Sequence, residues 1–179
     1  DFLEKQRLYG VFILPPISEN EELAALCREL DCAYVRMGST QLDSPQYLVE
    51  SNDREIVASA VDHLVEMGHR RIGLIEGPEG FRSAFERREG FLDGIRRHGL
   101  EYRAEWHAPG QYTFDSGIEA AERILSLPDR PSAIFVSNDE MAAASMHVAR
   151  NKGLLVPDDL SIIGFDDSPI ASHIWPPLT

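Results

Sequence analysis

Basic residues are scarce in this chain: 17 lysines and arginines face 30 aspartates and glutamates over 179 residues, a formal net charge of −13. Such a chain repels phosphate backbones, so it is a poor nucleic-acid binder by itself, and any DNA contact requires a separate basic module. Cysteine is nearly absent as well. Cys27 and Cys32 are the two present, five positions apart with no histidine nearby, which excludes a metal-ligand pattern and suits a reducing compartment. No apolar run approaches the ~20 residues that a membrane-spanning helix needs. The six histidines, His63, His69, His98, His107, His147 and His173, are scattered without metal-ligand spacing. A Gly-x-Ser-x-Gly elbow, a phosphate loop ending in Gly-Lys-Ser/Thr, a His-Glu-x-x-His pair and a dinucleotide glycine fingerprint are all missing, so no catalytic constellation, cofactor or metal is expected. The opening Asp1-Phe-Leu-Glu-Lys-Gln-Arg7 reads as the tail of a helix rather than as a signal peptide.

Apolar residues make up 43% of the chain, enough for one large domain or two small ones. They fall into a regular alternation. Short strands are expected at 9–14, 33–37, 47–49, 72–75, 105–107, 133–136 and 160–165, and helices at 21–30, 53–67, 84–98, 115–127 and 139–152. A loop fills 38–45. Continuous apolar strands separated by helices of this length imply an α/β fold with doubly wound parallel sheets. Right-handed crossovers then place every strand-to-helix loop on one rim, where ligands bind in open α/β sheets.

Two strands end at that rim with polar side chains. Ala133-Ile-Phe-Val-Ser-Asn-Asp-Glu140 delivers Asn138 and Asp139, and Ser161-Ile-Ile-Gly-Phe-Asp-Asp-Ser-Pro169 delivers Asp166 and Asp167. Carboxylates and amides are natural partners of hydroxyl groups, so this rim fits a small, hydroxyl-rich ligand. Asp166 and Asp167 are adjacent and make a poor acid/base pair. Asp139 and Asp167 read more simply as helix-capping or loop-fixing carboxylates. Residues 1–50 supply too little to close a core, whereas 51–175 can form a complete lobe. The chain is therefore expected to be the middle of a longer protein.

Asp62-His-Leu-Val-Glu-Met-Gly-His-Arg-Arg-Ile-Gly-Leu-Ile75, Arg87-x-x-Gly-Phe91, Ser137-Asn-Asp-Glu-Met-Ala142, Val156-Pro-x-Asp-Leu-Ser-Ile-Ile-Gly-Phe-Asp-Asp167 and Pro176-Pro-Leu-Thr179 follow one another in a fixed order. In that order and spacing the chain resembles the LacI/GalR family of bacterial transcriptional regulators, over almost its whole length. The resemblance implies a type I periplasmic-binding-protein-like core of two lobes that clamps a small effector, commonly a sugar or a nucleobase. On that reading 1–50 is part of the N-terminal lobe, 51–175 the C-terminal lobe and 176–179 the start of a crossover back. Operator DNA would be reached only through an absent helix-turn-helix module, in a cytoplasmic homodimer. The competing reading is a secreted solute-binding protein that feeds a sugar transporter.

Carried over by motif, the effector contacts are Arg87, Asn138 and Asp166, with Tyr112 as an aromatic wall. Asp53 and Trp175 are candidates for the pocket or hinge, and His173 and Ile174 for the dimer contact. Each has a plainer reading. Arg87 could lie on a solvated helix face, Asn138 could be only a helix cap, and Tyr112 could be ordinary packing. Arg87→Ala is expected to lose effector affinity with little loss of stability, and Asp167 to fix the loop before Pro169.

Overall fold

The computed structural model describes residues 5, 8–38 and 48–178. The expected loop positions 39–45, Tyr47 and Thr179 lie outside them. The chain divides into two compact units, residues 1–52 with 80–83, and residues 53–79 with 84–179.

The first unit carries a three-stranded parallel sheet in the order β1 (Gly10–Ile13), β2 (Ala33–Met37), β3 (Leu48–Val49). β1 and β2 pair from Gly10 with Ala33 to Ile13 with Arg36. Helix α1 (Glu21–Glu29) begins at Asn20, whose side chain accepts from the Leu23 amide and satisfies one free donor of the first turn. Ile13, Ala24, Cys27, Cys32 and Tyr34 form the small core, with both thiols free and buried.

The second unit is a four-stranded parallel sheet in the order β5 (His107–Ala108), β4 (Ile72–Ile75), β6 (Ala133–Val136), β7 (Ser161–Ile163). Its helices are α2 (Asp53–Glu66), α3 (Arg82–Arg97), α4 (Phe114–Leu125), α5 (Asp139–Asn151) and the short α6 (Pro169–His173). Successive strand residues point to opposite faces. Ile72, Leu74, Ala133 and Phe135 therefore pack against Val57, Val61, Leu64, Phe91 and Ile95 of α2 and α3. Ile75, Ile134 and Val136 face the other way and pack against Ala121 and Ile124 of α4 and Met141 and Ala149 of α5. Burial on both faces explains why these strands read as unbroken apolar runs.

Several boundaries differ from the sequence reading. α3 starts at Arg82, two residues early, and Ala104–Trp106 forms a 3-10 turn, so β5 begins only at His107. Trp106 is buried, and its indole donates to the Asp129 carbonyl at 2.7 Å. That satisfied indole holds the turn where an extended strand was expected. Residues 176–178 pack on the second unit: the Leu178 amide donates to Ala171 O at 3.0 Å and its side chain joins the α4/α5 core.

Two histidines are structural. The His69 ring bridges Ser132 Oγ at 2.9 Å and Ser161 Oγ at 3.0 Å, tying together the starts of β6 and β7. His107 sits edge-on to Phe91 and Tyr102, with ring centroids at 5.4 and 4.4 Å. Burial, aided by the positive charge of Arg88, pushes its pKa down from 6.5 to about 4. A base whose folded pKa is depressed contributes stability that is present above the unfolded value and lost as pH falls toward the folded one. Chain stability is thus expected to drop by about 3 kcal/mol between pH 6.5 and about 4 on account of His107. His107→Phe keeps a ring in the same slot, and denaturant titrations across that window should show a shallower loss for this variant.

Candidate functional site

The rim at the carboxyl ends of β4, β6 and β7 is organised by one guanidinium. Arg87 points inward from α3 and is only 8% exposed, so the solvated-face reading does not hold. Its Nε donates to Asp53 Oδ2 at 2.8 Å and one terminal nitrogen donates to the Ser137 carbonyl at the end of β6. The other donates to Asp166 Oδ1 at 3.0 Å, beyond the end of β7. The Phe165 ring stacks under the guanidinium carbon at 3.8 Å, and the Tyr112 ring lies 5.8 Å away. These bonds use three of the five N–H donors of an arginine. The plane of the fork is thereby fixed before any ligand arrives.

The surrounding side chains divide into those that hold the site and those that face outward. Asp53, expected in the pocket or hinge, is 3% exposed and serves as the buried counter-ion of Arg87. Asn138 caps α5: its Oδ1 accepts from the Met141 amide at 3.0 Å, and its Nδ2 donates to the Tyr112 carbonyl at 3.2 Å. One amide N–H of Asn138 remains beyond these bonds. Tyr112 is half-buried at φ +59, a conformation side chains seldom adopt, and the phenol end of its ring packs against Gly77. A side chain at Gly77 would overlap that ring, so this glycine makes the aromatic wall possible.

Asp166 is the exposed acceptor of the group, with 44% of its side chain accessible and φ at +103. Burial of the other half raises its pKa above the ordinary carboxylate range. Arg87 opposes that shift, and the like charges of Asp139 and Asp53 add to it. The loop-fixing expectation for Asp167 requires correction. Among the described residues Asp167 makes no hydrogen bond, and the carboxylate that takes the Ser168 amide, at 2.6 Å, is that of Asp139. Asp139 is buried and reaches the turn, whereas Asp167 is exposed and has φ of +50.

A second concave surface lies elsewhere on this unit. A groove of about 570 Å³ is lined by Phe114, Met146, Leu155, Ile170, Ile174 and Trp175, among others. Trp175, expected at the pocket, hinge or subunit contact, is 89% exposed on this groove, and His173 ends α6 beside it, also exposed. No group of His, Cys, Asp and Glu among the described residues could hold a metal ion. No helix among them is long and apolar enough to cross a membrane.

Comparison with known proteins places this architecture. The profile of the periplasmic binding protein-like domain matches residues 61–179. Over 179 residues the chain is 45% identical to the probable HTH-type transcriptional repressor ExuR of Bacillus subtilis (strain 168), covering 100% of this chain and 54% of that protein. It is 42% identical over 120 residues to the HTH-type transcriptional repressor CytR of Escherichia coli (strain K12), covering 67% of this chain and 35% of that protein. Among solved structures, a regulatory protein of the LacI family from Chloroflexus aggregans superposes with a TM-score of 0.88 at 30% identity, over 99% of this chain and 64% of that one. The transcriptional regulator CelR in complex with cellobiose does so with a TM-score of 0.88 at 32% identity, over 99% and 54%. The chain belongs to the periplasmic binding protein-like domain family. More narrowly, it has the core of the LacI-family transcriptional regulators, and it spans 54% of the length of ExuR.

Breaking a buried ion pair by removing one partner leaves an uncompensated charge, at a cost of about 3–5 kcal/mol. Arg87→Ala removes the buried counter-ion of Asp53, so the expectation of little stability loss is revised: urea denaturation should show a loss of about 3 kcal/mol. Arg88 is half-exposed and lies 3.5 Å from Glu76, a surface pair worth less than about 1 kcal/mol. Arg88→Ala should be nearly silent.

Proposed function

We propose that this chain is the effector-sensing core of a cytoplasmic transcriptional regulator, and that its effector is a polyhydroxylated metabolite of the sugar type. The observation that carries the reading is the fixed pair of Arg87 and Asp166, a planar donor fork beside an exposed acceptor. Such a pair matches adjacent hydroxyl groups, of which one accepts and the other donates. Tyr112 and Phe165 supply apolar faces for the C–H side of a ring, and the remaining N–H of Asn138 offers one more donor. The bound cellobiose in CelR supports a saccharide as ligand. The repressor names of the sequence relatives support regulation over enzymatic turnover, and over export to feed a transporter. DNA binding is assigned to a helix-turn-helix module of the whole protein, because the −13 charge of this core opposes phosphate.

Calorimetry of the full-length protein against sugars, glycosides, sugar acids and nucleobases tests the reading. A saccharide should bind, and Asp166→Asn should weaken it by about tenfold, or ~1.4 kcal/mol. Binding of nucleobases alone, or saccharide binding indifferent to Asp166→Asn, would overturn the assignment. The pH dependence has a definite sign. Hydroxyl donors prefer the ionised carboxylate, and the Asp166 pKa lies above its ordinary 3.8, so affinity should rise as pH increases through that elevated value and then level off. Asp166→Asn should abolish the rise.

The intact regulator is proposed to be a homodimer that uses the groove around Ile174 and Trp175. An 89% exposed tryptophan beside an apolar groove is costly to leave in water, and aromatic anchors of this kind dominate subunit contacts. Trp175→Glu should shift the full-length protein toward monomer in light scattering without changing its affinity for sugar.

A further inference from the structure

Asp139, like Asp53, lies close enough to Asp166 for its charge to be felt there, yet it makes no bond to Arg87. Its side chain is 3% exposed, at the first position of α5, where a negative charge favours the helix N-terminus. It reaches across to the turn after β7. One oxygen accepts from the Ser168 amide at 2.6 Å, short as expected for a bond to a charged acceptor. The other rests against Gly164, where any side chain would overlap it. Gly164 and Ser168 are the two ends of the turn that carries Phe165, Asp166 and Asp167, and both aspartates hold positive φ, at +103 and +50. Such backbone angles cost of the order of 1–3 kcal/mol and persist only where neighbours over-determine them. Arg87 holds the Asp166 side chain, but nothing in that ion pair fixes the far end of the turn.

We infer that Asp139 is the positioning residue of the effector site: it clamps the turn from Gly164 to Ser168 and so presents Asp166 at the rim. The groups facing Asp166 are Arg87 from α3, Asp53 from the start of α2 and Asp139 from α5. Arg87 favours the ionised form of Asp166, and the two carboxylates oppose it. Asp139 therefore has two separable effects, one of geometry and one of charge. The consequence for ligand capture rests on the effector reading above, but the clamp and the charge coupling do not.

Three substitutions separate the effects. Asp139→Asn keeps an acceptor oxygen for Ser168 and removes the charge. Asp139→Ala removes both. Gly164→Ala leaves the charge in place but pushes the carboxylate off its seat, which covers the case in which Asp139→Ala does not fold. The readouts are hydrogen exchange of the Ser168 amide and the NMR titration of the Asp166 carboxyl carbon, measured on the full-length protein without any ligand. In Asp139→Asn, Ser168 should stay protected and the Asp166 titration should move to lower pH. In Gly164→Ala, and in Asp139→Ala if folded, Ser168 should exchange roughly tenfold faster, as expected when a single amide bond is lost locally. An Asp166 titration unmoved in Asp139→Asn would overturn the charge coupling, and Ser168 protection unchanged in Gly164→Ala would overturn the clamp. Neither readout involves an effector, so failure here is distinct from a failure of saccharide binding.

Discussion

A single buried cation ties the ends of four elements of the second unit. Arg87 comes from α3, its counter-ion Asp53 opens α2, the Ser137 carbonyl ends β6, and Asp166 follows β7. An arginine buried to this degree is tolerable only with its donors satisfied and its charge balanced. Those requirements dictate where the two strand ends and the two helices come to rest. The site is thus built from the same contacts that close the fold. Binding and stability cannot be separated at this residue.

The order of the second unit was legible because its strands are buried on both faces. Ile72-Gly-Leu-Ile75 and Ala133-Ile-Phe-Val136 admit no competing reading once helices flank them. The motifs carried Arg87, Asn138, Asp166 and Tyr112 to one rim, and the structure brings those residues together. What each does there was not legible. Asp53 and Arg87 are 34 positions apart, and a one-dimensional pattern gives no sign that they pair. The charge run Glu86-Arg-Arg-Glu89 hides which arginine turns inward, and helical phase alone does not decide between neighbours. Asn138, carried over as an effector contact, also caps α5, and its second bond, to the Tyr112 carbonyl, is a tertiary contact. That Asp139, and not Asp167, fixes the loop before Pro169 has the same origin, since Asp139 meets Ser168 only after α5 docks beside β7.

Electrostatics explain how the rim can be both rigid and receptive. Two carboxylates, Asp53 and Asp166, pair with one guanidinium, and both Asp53 and the nearby Asp139 are buried and engaged in internal bonds. Only Asp166 keeps substantial contact with solvent, and its pKa is raised first by its partial burial, with a smaller push from the carboxylates of Asp139 and Asp53. A ligand hydroxyl that donates to Asp166 favours its ionised form. Preorganised donors and acceptors of this kind lower the ordering cost of binding, which is where small polar ligands gain affinity.

The most direct test of Arg87 as both fold anchor and ligand donor is to follow its side-chain nitrogens by NMR in the full-length protein during titration with the tightest-binding sugar of a saccharide panel. The terminal Nη resonances should shift saturably with ligand, while Nε–H, held by Asp53, should remain protected and nearly unmoved. Saturable binding with no change at the Nη groups, or equal movement of Nε and Nη, would contradict this account.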